Sequence, residues 1–97
     1  EDGHSKYAEQ QNTDREVLSK YIRILKESLI SMDLAGNLVV IKTVSGMAMA
    51  AAAALDELRW GEIAGCIAGD DTIMCAAKSP DDALVVIDKL KKTLESF

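Results

Sequence analysis

Five consecutive alanines, Ala50 to Ala54, lie inside the longest uninterrupted apolar run of the chain, the nine residues from Met47 to Leu55. Alanine is the strongest helix former and carries almost no side-chain volume. The segment is therefore expected to fold as a helix that approaches its neighbours closely but adds little hydrophobic energy per turn, giving a thin core. The run is also far short of the roughly 20 apolar residues that cross a bilayer, so no membrane span is expected. At 97 residues the chain has room for one domain, burying about 60–65% of its unfolded surface. Sixteen acidic against eleven basic residues leave a net charge of −5, the wrong sign for holding a phosphate backbone by counterion release. The chain by itself is not expected to bind DNA or RNA.

The segment 1–16 is polar, with little beyond Tyr7 and Ala8 to bury, and reads as a mobile linker in which His4 is solvated. The chain opens on Glu1 rather than methionine, as expected of a piece of something longer. Helical spacing then sets in near Asp14, with Thr13 or Asp14 as cap and Leu18, Tyr21, Ile22, Leu25 and Leu29 in helical register, the helix itself expected to end before Leu29. Alternation from Ser28 to Leu34 predicts a strand, Ala35-Gly36-Asn37 a turn, and the β-branched run at Leu38 opens a second strand reaching Val44. Ser45 is expected to cap the alanine helix, which runs from Gly46 to Leu58, with Trp60 as the large aromatic anchor after it. Two short strands, 63–68 and 72–77, join through Gly69-Asp70-Asp71. If the two aspartates occupy the central turn positions, Cys66 falls opposite Cys75 on one face. These read as two neighbouring reduced thiols rather than a strained cross-strand disulfide. Ser79-Pro80-Asp81-Asp82 opens the last helix, with serine as cap, proline at the first position and two carboxylates on the positive dipole end. The sum is an α+β fold: a ββαββα two-layer sandwich, its small antiparallel sheet covered by two helices, with an extra N-terminal linker helix.

Several chemistries are excluded. The one histidine lies in the polar N-terminal segment, away from both cysteines, so no nucleophile has a base beside it. Gly65-Cys66-Ile67-Ala68-Gly69 leads into aspartates rather than the lysine and hydroxyl of a phosphate loop. Two cysteines nine positions apart make neither a zinc pattern nor a disulfide framework, and with no secretory leader in view a reduced, cytoplasmic setting is expected. What remains is Asp70-Asp71, two like charges at a tight turn. They are either solvated turn residues or an anionic site for Mg²⁺, an ammonium or a guanidinium, the last matching paired carboxylate oxygens bidentately. Asp56 adds a third carboxylate if the end of the alanine helix faces that turn, and is otherwise a solvated helix residue.

The stretches Gly36-Asn37-Leu38-Val39-Val40-Ile41-Lys42-Thr43 and Leu55-Asp56-Glu57-Leu58, then Trp60, and above all Gly65 to Ile73 with its Gly-Asp-Asp-Thr centre, closely resemble the C-terminal domain of the bacterial arginine repressor. The resemblance covers about Leu29 to Leu94. It implies a non-enzymatic domain of a transcriptional regulator of arginine metabolism that forms trimers, two of which stack into a hexamer with L-arginine between them. It implies no other cofactor, and operator DNA read only by an N-terminal domain absent from this sequence. By position, Asp70 takes the guanidinium of an arginine held largely by the facing trimer. Asp56, Asp71 and the backbone around Cys66 and Ala68 surround its amino and carboxylate end. Met49 stands where many members have a glutamine or histidine able to hydrogen-bond the ligand, which a thioether cannot donate to, and Cys66 replaces the usual threonine. The resemblance also reads 1–16 as a winged-helix remnant and interdomain linker, and 17–97 as the oligomerisation and arginine-binding domain. Two other readings stand beside it: a small Mg²⁺-dependent enzyme using Asp56, Asp70 and Asp71, and a purely structural trimerisation module.

Overall fold

A computed structural model describes residues 2–96, with side chains from 15 to 95. Three helices and four strands follow one another as α1 (Asp2–Ser28), β1 (Leu29–Ala35), β2 (Leu38–Thr43), α2 (Ala48–Glu57), β3 (Ile63–Ala68), β4 (Thr72–Ala77) and α3 (Pro80–Ser96). The strands form a single antiparallel sheet in the order β1-β2-β4-β3, so the two hairpins lie side by side, with β2 and β4 central and β1 and β3 at the edges. This is the expected α+β two-layer sandwich.

Alternation makes the layer. Val39, Ile41 and Thr43 of β2 and Ile73, Cys75 and Ala77 of β4 are buried on one face, against Ala48, Ala51, Ala52, Ala54 and Leu55 of α2 and Ala83, Val86 and Leu90 of α3. The alanines let α2 sit close, and the volume comes from few side chains: Leu25, Ile41, Leu55, Ile73 and Leu90 are the largest fully buried. Truncating any one to alanine costs about 2–5 kcal/mol, since little else fills the space.

Helix α1 begins twelve residues before the expected start near Asp14 and covers the segment read as linker and strand remnant. Ala8, Glu9, Gln10 and Gln11 are good helix formers, and no glycine or proline interrupts residues 4–28, so nothing local stops the helix. The side chain of His4 lies outside the described residues. At the other end α1 stops at Ser28, as the sequence predicts. The buried Ser28 hydroxyl donates to the Ile24 carbonyl at 2.6 Å, and Val44 N–H donates to the Ser28 carbonyl at 2.8 Å, tying the helix end to the exit of β2. Leu25 is buried against α2 and α3, while Leu18 stays exposed.

Gly36 supplies the positive φ of 65° in the β1–β2 turn, where an L-side chain would be strained. Ser79 caps α3 as expected, its hydroxyl accepting from Asp82 N–H at 3.0 Å. Ser45 does not cap α2. The residue in the cap position is Met47, which makes no side-chain cap bond. Trp60 is half-buried under Lys89, whose Nζ lies 5.4 Å from the ring centroid and 2.8 Å from Glu62 Oε1.

Candidate functional site

The β3–β4 turn is docked onto the start of α2. Gly69 N–H donates to the Thr72 carbonyl at 2.9 Å, closing the hairpin on Asp70 and Asp71. The Asp70 carbonyl accepts from both Gly46 and Ala48 N–H at 3.1 Å, and the Asp71 carbonyl accepts from Thr43 N–H at 2.8 Å. One orphan amide at the head of α2, that of Ala48, is thus satisfied by a backbone carbonyl from elsewhere in the fold, and the same carbonyl holds the Gly46 amide just before the Met47 cap position. The Ser45 hydroxyl, displaced from the capping role, donates instead to Asp70 Oδ2 at 3.2 Å.

The adjacent carboxylates differ. Asp71 Oδ1 accepts from Thr72 Oγ1 at 2.9 Å, and Thr72 Oγ1 in turn accepts from Lys42 Nζ at 3.0 Å, so a cation stands two bonds away on the outer face. Asp70 is exposed and has no cation in salt-bridge range among the described residues. Its carboxylate is held by Ser45 and open to a positively charged guest.

Backbone groups line the strand beside that turn. Between β2 and β4 the hydrogen-bonded positions are those in step with Thr43–Asp71 and Asn37–Ala77, which include Ile41–Ile73 and Val39–Cys75. Toward β3, strand β4 therefore uses Met74 and Ala76, opposite Ile67 and Gly65. Cys66 and Ala68 consequently turn their N–H and C=O groups to the open edge of the sheet. Helix α2 packs beside β3 and presents Met49, Ala53 and Asp56, spaced four and three apart, as one exposed stripe, Met49 being 71% exposed.

Asp56 does not join the acidic turn. It lies eight residues beyond Ala48, about 12 Å along the helix at 1.5 Å per residue, and lines a hollow of about 130 Å³ with Arg59, Trp60 and Gly65. Among the described residues, no three His, Cys, Asp or Glu side chains converge as a metal site would need. The cysteines do meet: Cys66 and Cys75 are Cα partners, the register predicted from the turn, and both are free thiols. Hydrogen bonding between them, with burial and the Asp56 charge, holds the Cys66 thiol far above its ordinary range, while the same bond lowers Cys75.

Of the residues singled out in the sequence, the structure brings Asp70, Ala68 and Cys66 to one edge and sets Met49 beside them on α2, while Asp71 turns to Thr72 and Lys42 on the outer face and Asp56 stays at the far end of the α2 stripe. Ser45 is the residue that sequence reasoning misplaced. Its partner is 25 positions away, and no local pattern signals the bond.

The family model for the arginine repressor C-terminal domain matches residues 25–92. Among curated relatives, arginine repressors of Lachnoclostridium phytofermentans and Lachnospira eligens are 51% and 54% identical over 97% and 86% of this chain. That of Ruminiclostridium cellulolyticum is 41% identical over 98%. The matches cover 62%, 56% and 63% of those relatives, so the chain spans roughly three-fifths of their length. With a family model that spans most of the chain and relatives of 41–54% identity, the chain belongs to the arginine repressor family through its C-terminal domain.

Proposed function

We propose that this chain is the arginine-binding oligomerisation domain of a transcriptional regulator of arginine metabolism. The family is one of regulators, not enzymes. In this reading L-arginine sits between two trimers, its guanidinium on Asp70. Its amino and carboxylate end is surrounded by Asp71, Asp56 and the Cys66 and Ala68 backbone, with Met49 alongside. Ligand that binds the hexamer but not separated trimers stabilises the hexamer by mass action, and the assembly then spaces the DNA-binding domains for the operator. DNA contact belongs to an N-terminal domain joined through residues 1–16, since this chain carries a net charge of −5. The setting is cytoplasmic. Among the described residues no helix is long and apolar enough to cross a membrane.

The observation that carries the reading is the open carboxylate of Asp70 at the end of a sheet edge whose backbone groups are also free. A cationic amino acid has a matching group for each. The separation of Asp56 from Asp70 along α2 suits an elongated ligand completed by a neighbouring copy, and not chelation of one Mg²⁺ ion.

Sedimentation with and without arginine, together with calorimetry against arginine and against Mg²⁺, tests the proposal. Arginine is expected to give saturable heat and to shift trimers to hexamers. Asp70→Asn is expected to keep the fold, as judged by circular dichroism, and to weaken arginine binding by at least about 1.5 kcal/mol, roughly tenfold. Unchanged affinity and assembly in that variant would leave a structural trimerisation module as the answer.

A further inference from the structure

The hydrogen-bonding phase of the sheet has a chemical implication for the two thiols. Because Cys75 pairs its backbone with Val39 on β2, the Cys66–Cys75 pair is of the non-hydrogen-bonded kind, in which Cα atoms approach to about 4.5 Å and side chains lie closest. That separation falls inside the range of about 4.4–6.8 Å that a disulfide spans. Both thiols are free, and both point to the helix-covered face. Cys75 is fully buried, whereas Cys66 is half-buried on an edge strand where a small reagent reaches it. Neither thiol has another role in the site, since Cys66 contributes to the ligand edge through its backbone.

We propose that Cys66 and Cys75 form an oxidisable dithiol, a redox modification site that a low-molecular-weight disulfide closes into a cross-strand bond, and that closure weakens ligand binding at the adjoining edge. The exchange balances. A thiolate of the pair attacks one sulfur of oxidised glutathione and releases one reduced glutathione, leaving a mixed disulfide. The second thiol displaces the remaining glutathione as the protein S–S bond forms. Two electrons and two protons pass from the protein to the glutathione disulfide, which leaves as two thiols. Closure draws the two Cβ atoms from the about 4.5–5.5 Å of an open pair to about 3.8 Å. The shift of β3 falls at Cys66, itself one of the two edge positions, and two residues before Ala68, which leads into the hairpin turn that carries Asp70. The effect on ligand binding rests on the arginine reading above, whereas the closure does not.

The test equilibrates the chain in glutathione redox buffers, blocks remaining thiols and digests with trypsin. Cleavage after Arg59 and Lys78 leaves both cysteines on one peptide, residues 60–78. That peptide is expected to carry no blocking group under oxidising conditions and to weigh two hydrogens less than the unblocked dithiol, and to take up two blocking groups after dithiothreitol, while Cys75→Ala instead carries glutathione on Cys66. A peptide that stays a dithiol, or that accumulates a glutathione adduct in the unmodified chain, overturns the site. Calorimetry on the two purified forms is expected to show arginine bound about threefold or more weakly by the oxidised one. Equal affinity overturns the coupling. A lighter peptide with no arginine heat in either form overturns the ligand reading and leaves the disulfide standing.

Discussion

Two neighbouring aspartates of the same hairpin turn have different chemical roles. Asp71 is satisfied within its own face through Thr72 and Lys42, whereas among the described residues the exposed Asp70 carboxylate accepts from the Ser45 hydroxyl alone. One hydrogen bond to a charged acceptor contributes about 1.5–3 kcal/mol when well formed, and less for a bond of 3.2 Å at an exposed site. Ser45→Ala is therefore expected to weaken arginine binding by a small factor, about threefold, with the melting temperature almost unchanged because α2 draws its cap from the Asp70 carbonyl. A large loss of stability in that variant, seen by thermal unfolding, would restore serine to a capping role. Residue chemistry alone did not separate Asp70 from Asp71, since both are carboxylates at a turn, and only the family resemblance gave them different roles. The distinction depends on which of them faces Lys42, and that is a property of the β2–β4 register.

At the scale of elements, the parts governed by local rules were legible. Alternating β-branched residues marked β2, the Ser-Pro-Asp-Asp start marked α3, and turn geometry alone set Cys66 against Cys75. The starts of α1 and α2 were not. A polar segment of good helix formers gives no boundary signal, and the head of α2 is satisfied by a carbonyl 22 residues beyond Ala48, a bond with no sequence signature. The link between β3 and α3 is equally non-local. The Lys89 ammonium beside Glu62 holds its carboxyl below the ordinary 4.5. A lowered folded-state value means the contribution to stability is present above pH 4.5 and fades as the pH falls through the lowered value. Glu62→Gln is thus expected to reduce the melting temperature slightly near neutrality, with the two proteins converging in acid. Parallel curves across that range would show that the ion pair contributes nothing.

Across the whole molecule, the sheet is covered on one side only. On the other, Val40, Met74 and Ile67 make one cross-strand apolar row and Leu38, Ala76 and Gly65 the next, around a depression of about 510 Å³. Ile67 is 79% exposed and Met74 48%. A bare apolar face on so thin a domain is what subunit association covers. Ile67→Lys is expected to hold the chain as a monomer in sedimentation without altering its fold. Trimers that persist would move the self-contact to another surface. The carbonyl of Asp70, shared by Gly46 and Ala48, has a kinetic corollary as well. A helix whose first turn is anchored by a later hairpin cannot settle until that hairpin has closed, and it is released whenever the hairpin opens. Deuterium uptake at those two amides should therefore report the breathing of the hairpin, and on the proposed reading arginine held at Asp70 is expected to slow it there.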